Sequence, residues 1–79
     1  MKDQILAILE EIRPEYDFKK PNIDFISEGM LDSFDVVSLV DALDESFGIS
    51  IAGADILPEN FASVEAIETL VSRSKPKKQ

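Results

Sequence analysis

Residues 28–51 read EGMLDSFDVVSLVDALDESFGISI, and this stretch decides the fold. Its apolar residues recur at spacings of three and four, which is typical of a helix with one buried face. The stripe consists of Val36, Leu39, Val40, Leu43 and Phe47. Asp32 is a good N-cap, Asp35 completes a capping-box-like pair with it, and Gly48 suits the left-handed residue that closes a helix. We therefore predict an amphipathic helix from Asp32 to Gly48.

Two further segments have the same helical pattern, one at each end of the chain. The first runs from about Lys2 to Arg13 and is stopped by Pro14. The last starts at a Ser63 cap and ends near Arg73, where a cation is favourable. The positions that should be buried are Ile5, Ile8, Leu9 and Ile12 in the first helix, and Ile67, Leu70 and Val71 in the last. The chain thus contains three long helices.

The remaining segments are connections. Residues 14–31 form a long loop, which we expect to pack on the helices through its apolar residues. These are Tyr16, Phe18, Ile23, Phe25 and Ile26. Residues 49–51 alternate like a strand but are too short and solitary to build a sheet, and residues 53–57 fit a single helical turn before Pro58. The predicted fold is all-α, a small four-helix bundle of three long helices and one short. Its domain covers residues 1–74, followed by a flexible basic tail at 75–79.

The composition is that of one small globular domain. The chain has 79 residues, 44% of them apolar, which suits a single hydrophobic core. It contains no cysteine and no histidine, which excludes disulfides, thiolate metal sites and the usual general base. No apolar run is long enough to span a bilayer, and the first residues do not form a signal peptide. We expect a cytoplasmic monomer without stable membrane insertion.

The formal net charge of −8 is unevenly distributed along the chain. Residues 21–72 contain eleven Asp and Glu and not one Lys or Arg, so that all basic residues lie near the two ends. An acidic middle repels nucleic acid and anionic membrane surfaces, and it favours partners with basic patches. The alternative interpretation is that this surface only keeps the protein soluble.

Ser33 stands at the most informative position, the first residue inside the predicted central helix. Its hydroxyl should point outward beside free backbone N–H groups, which suits a phosphate. Ser33 cannot act as a nucleophile unaided, because the chain has no His and the nearest Lys in sequence is Lys20. Any chemistry at Ser33 must therefore come from another protein.

The surroundings of Ser33 resemble the acyl carrier protein family over nearly the whole chain. The resemblance rests on a glycine shortly before Asp-Ser, an apolar residue after it, an acidic amphipathic helix closing on Phe47, and the later stretch PENFASVEAI at residues 58–67. It implies that a phosphopantetheinyl transferase attaches 4'-phosphopantetheine from coenzyme A to Ser33 as a phosphodiester, with Asp32 flanking. The arm then holds cargo as a thioester for a loading ligase and for downstream synthases or transferases.

The exposed face of the central helix is the predicted docking surface for these partners. Phe34 and Val37 are apolar anchors, and the acids would steer basic patches towards them. The complete set is Phe34, Asp35, Val37, Ser38, Asp41, Asp44 and Glu45. The alternative for Phe34 is that it covers the loop before the helix.

Several departures from the usual fatty-acid-synthesis carriers leave the cargo open. Gly29 lies four residues before Ser33 rather than three, and Ser38 and Asp41 replace the glutamate and apolar residue that are common there. The Gly-x-x-Asp-Ser-Phe form looks more like D-alanyl carrier proteins and discrete carriers of polyketide, lipid or peptide pathways. Against a D-alanyl assignment, residues 60–63 read NFAS rather than containing Trp-Asn-Thr. We favour a specialised acyl carrier of a fatty acid, lipid or polyketide-type pathway, with D-alanyl or aminoacyl (peptidyl) carriage as the alternative.

Other classes of protein fit less well. An unmodified acidic helical adaptor is supported by the charge pattern alone. A calcium-binding loop of the Asp-x-Asp-x-Asp-Gly type is missing, so we predict no metal site, although weak binding of divalent ions to the acidic helix stays open. An enzyme with its own active site is disfavoured, since the chain has no His, no Cys and one Tyr.

Overall fold

A computed structural model describes residues 1–76, which contain three α-helices. These are α1 (Lys2–Ile12), α2 (Ser33–Phe47) and α3 (Val64–Arg73). Their predicted positions are confirmed to within about one residue, as are the caps, which are local features of sequence. Asp32 and Ser63 are the N-caps of α2 and α3, and Gly48 closes α2 in the left-handed conformation, with φ 63°.

The connection from α2 to α3 contains two 3-10 helices, Gly53–Asp55 and Pro58–Phe61. The single short helix predicted at residues 53–57 is therefore not confirmed, and the described residues are mostly helical with three α-helices. Pro58 explains the division, because it has no N–H to extend the first turn but is well suited to begin a new one.

The described chain also contains a small antiparallel sheet that the sequence did not predict. Strand β1 (Ile49–Ser50) pairs with β2 (Lys75–Pro76), with Ile49 opposite Pro76. The expectation that residues 49–51 would build no sheet was wrong, and Lys75 and Pro76, the first two residues of the predicted tail, form the second strand. Ile49 is buried and holds β1 on the core, so that the chain leaving α3 can pair with its edge. Residues 77–79 of the predicted tail lie outside the described residues.

The core forms where α1 packs against both α2 and α3. Every apolar position predicted to be buried in the three helices is buried or partly buried, with Ile12, Val36 and Phe47 in the second group. The largest fully buried side chains are Phe25, Phe61, Ile5, Leu9, Leu39, Leu43, Ile67 and Leu70. Burial of one apolar stripe from each helix is the main force that holds such a bundle together.

The long loop at residues 14–31 packs on the bundle, as predicted. Phe18 and Phe25 are buried and meet edge to face, with ring centroids 5.0 Å apart. The Phe25 N–H donates to the Ala62 carbonyl just before α3 (2.8 Å), and the Phe25 carbonyl accepts from Met30 and Leu31. Tyr16 is the exception among the predicted anchors, because it stays exposed on the edge of Phe18. These contacts fix the end of the loop where α2 begins.

Candidate functional site

Ser33 occupies the position that the sequence predicts, as the first residue of α2. Asp32 has an extended backbone and a side chain that accepts from the Asp35 N–H (2.9 Å), while the Asp35 carboxylate accepts from the Asp32 N–H (3.0 Å). This reciprocal capping box satisfies the helix end without the serine. Ser33 is exposed, and its hydroxyl makes no hydrogen bond with any residue from 1 to 76. An accessible hydroxyl thus stands at the positive end of a helix dipole.

Arg13 is a part of this site that the sequence analysis missed. Its Nε donates to Asp35 Oδ2 (2.8 Å) and its Nη2 to Asp32 Oδ2 (3.2 Å), while Nη1 pairs with Glu15 (3.3 Å). The end of α1 is thereby joined to the start of α2 across a separation of 22 residues. A pairing over such a distance leaves no local pattern, and the only available signal was an isolated arginine directly after a helix.

The pKa shifts follow these contacts. The hydrogen bond to Asp35 raises the pKa of the Arg13 guanidinium further above its already high ordinary value. The pKa of Asp32 is lowered, first by the hydrogen bond from the Asp35 N–H and also by the positive charge of Arg13. Partial desolvation of the carboxylate acts in the opposite direction. The lowered pKa of Asp32 and the raised pKa of Arg13 both favour the charged forms of these two side chains.

An apolar groove opens beside Ser33. Its volume is about 460 Å³. The groove lies between the start of α2 and the connection that follows β1, and Ile56 and Leu57 of that connection are respectively 39% and 43% exposed. Its lining residues are Ile26, Leu31, Asp32, Ser33, Val36, Val37, Ile56, Leu57 and Pro58. Ile56 and Leu57 were missed as site residues, although an apolar pair in a short turn before proline is a signal that could have suggested them.

Five of the seven predicted docking residues on α2 are exposed, and the other two are at least half-buried. Phe34 and Val37 are 85% and 60% exposed, which is unusual for large apolar side chains. The other exposed members are Ser38, Asp41 and Glu45. The alternative in which Phe34 covers the preceding loop does not fit so high an exposure.

Two acids of the predicted docking set are used by the fold. Asp35 is buried (8% exposed) and bonded to Arg13, so that its placement on an exposed docking face was wrong. Its burial follows from the capping box, which turns the side chain back towards the helix start. Asp44 is half-buried and accepts a hydrogen bond from the Ile51 N–H (3.1 Å), which anchors the segment after β1.

Two other features are missing from residues 1–76. No group of three or more His, Cys, Asp or Glu residues among them is arranged to hold a metal ion. In the same residues, no helix has both the length and the apolar character needed to cross a membrane.

Comparisons with known proteins point to one family. Residues 3–71 match the family model described as "Phosphopantetheine attachment site". The "D-alanyl carrier protein" of Bacillus cereus (strain B4264) is 41% identical over 64 residues, which are 78% of this chain and 80% of the relative. The "D-alanyl carrier protein" of Bacillus velezensis (strain DSM 23117 / BGSC 10A6 / LMG 26770 / FZB42) is 39% identical over 51 residues. These residues are 63% of this chain and 65% of the relative, so that the chain spans just under two thirds of that relative's length. No solved structure matches the chain.

Proposed function

Because the chain belongs to the phosphopantetheine-attachment family of carrier proteins, we propose that it carries a thioester-bound cargo on an arm attached to Ser33. The family's prosthetic group is 4'-phosphopantetheine, and a match over residues 3–71 includes the whole site. The observation that carries the assignment to Ser33 is its exposed hydroxyl at the start of α2, left without a hydrogen bond because Asp32 and Asp35 cap the helix.

The residues present fit such an arm. A phosphodiester on the Ser33 oxygen would lie beside the first backbone N–H groups of α2, where the helix dipole favours negative charge. The apolar groove starts at Ser33 and is lined by Val36, Val37 and Leu57, which would contact an uncharged chain extending from the phosphate. When bound, the group supplies a terminal thiol that holds the cargo as a thioester.

The chain's own part in attachment is to present the hydroxyl, while a phosphopantetheinyl transferase supplies the catalysis. The Ser33 hydroxyl gives up its proton, and its oxygen forms a bond to the pantetheine-bearing phosphorus of coenzyme A. The bond to the bridging oxygen breaks, and adenosine 3',5'-bisphosphate leaves with the electron pair. A general base from the transferase is required, because Asp35 is committed to Arg13 and the Asp32 N–H. We therefore propose a carrier without enzymatic activity of its own.

The exposed face of α2 is the proposed docking surface for the transferase and for the enzymes that use the cargo. Phe34 and Val37 would be the apolar anchors, and Ser38, Asp41 and Glu45 surround them. Acids at such a rim accelerate encounter with basic partners and make it sensitive to salt. Asp35 is left out of this surface because it is buried.

The proposed cargo is an acyl group. The observation that favours it is the groove of about 460 Å³, whose walls are almost entirely apolar side chains next to Ser33. A second candidate cargo is D-alanine or another aminoacyl group, which is favoured by the names of the relatives that are about 40% identical.

The attachment is tested by the intact mass of the purified chain after incubation with coenzyme A, magnesium and a broad-specificity phosphopantetheinyl transferase. We expect a gain of one phosphopantetheine for the wild type and none for Ser33→Ala. Ser46→Ala is the matched control, because Ser46 is an exposed serine of the same helix, and it should gain the arm as the wild type does. A wild type that gains nothing from several transferases would reject the carrier assignment and favour an acidic adaptor.

The cargo is tested by the mass of the loaded form isolated from the native host. Release of an acyl group from the thioester by hydroxylamine supports the main proposal, whereas release of alanine supports the second. The variant Leu57→Asp separates them further, since a charge in the groove should disfavour retention of an apolar acyl chain and have little effect on a small polar cargo.

A further inference from the structure

Arg13 holds both carboxylates that flank Ser33, and we propose that it is a positioning residue for the attachment reaction. This inference rests on the proposed function, because it concerns how Ser33 is presented to the transferase. It assigns a role to a residue outside α2 that neither the motif around Ser33 nor the exposed docking face includes.

The geometry places Arg13 at the centre of the capping box. Asp35 Oδ2 accepts from Arg13 Nε (2.8 Å) and also from the Asp32 N–H (3.0 Å), so that one oxygen joins the arginine to the backbone that precedes Ser33. Asp32 uses its two oxygens for different partners, with Oδ1 accepting from the Asp35 N–H and Oδ2 from Arg13 Nη2. The guanidinium thus bridges both residues of the box.

Burial explains why this bridge is needed. The Asp35 side chain is 12% exposed, whereas that of Arg13 is 34% exposed. A carboxylate so far removed from water is costly unless it is paired with a charge. Without Arg13, the Asp35 side chain is expected to turn towards solvent and release the Asp32 N–H. The first turn of α2 would then fray, and Ser33 lies within that turn.

The backbone around Arg13 makes the bridge a link between elements. Arg13 is the C-cap of α1, and its own N–H donates to the Leu9 carbonyl (2.9 Å). The guanidinium therefore extends from a fixed point on α1 to the start of α2, across the whole loop at residues 14–31. Loss of the side chain would remove this link while leaving the apolar core of the bundle in place.

The proposal predicts which kinetic constant changes. Removal of a cation makes the surface near Ser33 more acidic, and a basic transferase should dock on it at least as well. Misplacement of the Ser33 oxygen, by contrast, should slow the reaction in the docked complex. We therefore expect Arg13→Gln to lower kcat for attachment with no increase in KM for the carrier.

The experiment measures attachment kinetics with the carrier as the varied substrate, at saturating coenzyme A and with one fixed transferase. Arg13→Gln should lower kcat about tenfold, as for loss of one charge-assisted contact that orients a reacting group. Arg13→Lys keeps the positive charge but lacks the planar guanidinium that contacts both carboxylates, and it should give an intermediate kcat. Lys2→Gln is the control of equal charge change, since Lys2 pairs with Glu65 and Glu68 on α3; it should match the wild type.

A second substitution tests whether Arg13 acts through the Asp35 carboxylate. Asp35→Asn in the Arg13→Gln background removes the unpaired carboxylate but retains an oxygen that can accept from the Asp32 N–H. We expect it to restore kcat to within about threefold of the wild type. If Arg13 acted otherwise than through this carboxylate, neutralising Asp35 would leave kcat as low as in Arg13→Gln.

Amide hydrogen exchange provides a readout that does not depend on attachment. In Arg13→Gln, the N–H groups of Asp35 and Val36, which donate to Asp32, should exchange faster than in the wild type. Those of α3 should not change. Unchanged exchange together with unchanged kcat would overturn the proposal while the wild type still gains its arm. A wild type that is never modified would instead reject the proposed function itself, so that the two failures are distinguished.

Discussion

The starts of α2 and α3 both combine a capped helix end with a serine, but the two serines are used differently. Ser63 is the N-cap of α3, and its Oγ accepts from the Ala66 N–H (3.0 Å). Ser33 is the residue after the N-cap of α2, where Asp32 already performs that task. The hydroxyl of Ser63 is thus occupied in capping α3, whereas that of Ser33 is left exposed to solvent.

The surroundings of the two helix starts differ in the same direction. The start of α3 lies on the core, with Phe61 and Val64 buried on either side of the cap. The start of α2 is bordered by Phe34, which is 85% exposed, and by the apolar groove. The proposed attachment site thus differs from the start of α3 in two ways: Asp32 caps the helix in place of the serine, and the neighbouring apolar surface is exposed.

The largest effect is expected when α2 is given the capping arrangement of α3. In the double variant Asp32→Ser with Ser33→Ala, a serine hydroxyl remains at the helix start but stands at the N-cap, where it should accept from the backbone. Serine and aspartate are similarly good N-caps, so that the helix should persist. We expect complete loss of phosphopantetheine attachment, measured by intact mass, with a near-wild-type circular dichroism spectrum.

The single variant Asp32→Ser is the control for this experiment, because it has the same cap and retains Ser33. It should gain the arm, at a reduced rate owing to loss of the flanking acid and its contact with Arg13. Attachment to the double variant would contradict this expectation. It would show that the transferase accepts a serine at the N-cap, whose hydroxyl takes part in capping.

The second prediction concerns whether the Asp35 carboxylate stabilises the start of α2. Asp35→Ala removes one half of the capping box and leaves Arg13 without its shortest contact. We expect a loss of about 2 kcal/mol in the free energy of unfolding, as for a broken cap with a partly buried ion pair. Urea denaturation measures it. A loss under about 0.5 kcal/mol, the usual range for surface substitutions, would show that Arg13 and Asp35 are not coupled to stability.

The sequence predicted what depends on neighbouring residues and missed what depends on distant ones. The three helices, the Asp32 and Ser63 caps and the Gly48 closure are encoded by spacings of three or four residues, and all are confirmed. The pairing of Ile49–Ser50 with Lys75–Pro76 and the Arg13–Asp35 contact join residues more than twenty positions apart. Neither periodicity nor propensity carries information about such pairs.

In the candidate site, too, the features that depend on neighbouring residues were predicted and those that depend on distant residues were not. Ser33 and its position at the start of α2 were predictable because a cap, a first-turn residue and an apolar stripe define each other locally. The groove was not, because Ile56 and Leu57 reach it only through the course of the connection from β1 to α3. Asp35 was wrongly placed on the docking face, since helical spacing alone does not show which way a capping side chain turns.

At the start of α3, the comparison predicts a change in stability without a change in function. Ser63→Ala removes the hydroxyl that accepts from the Ala66 N–H. We expect the free energy of unfolding to fall by about 1 kcal/mol, the usual cost of an N-cap. Attachment at Ser33 should proceed at the wild-type rate below the melting transition. A slower rate at full folding would mean that the two helix starts are coupled through the loop that Phe25 ties to Ala62.

The smallest predicted effect concerns the protonation of the α2 cap. Because the pKa of Asp32 is lowered in the folded state by the Asp35 N–H and then by Arg13, its stabilising contribution is present above the ordinary value of 3.8 and is lost as pH falls through the folded value. Asp32→Asn can still accept from the Asp35 N–H but does not titrate. Its free energy of unfolding should therefore decline less than that of the wild type between about pH 5 and pH 2.

The pKa of Asp24 is also lowered, first by the hydrogen bond from the Ser27 N–H, but Asp24 is common to both proteins and its contribution cancels in the difference. At the start of α3 the cap is an uncharged hydroxyl, so that Ser63→Ala should lower stability by the same amount at pH 7 and at pH 3. The two caps can thus be told apart by pH alone: a difference between wild type and variant that depends on pH belongs to α2, and one that does not belongs to α3. Parallel pH curves for the wild type and Asp32→Asn would contradict the assignment of the lowered pKa to the cap.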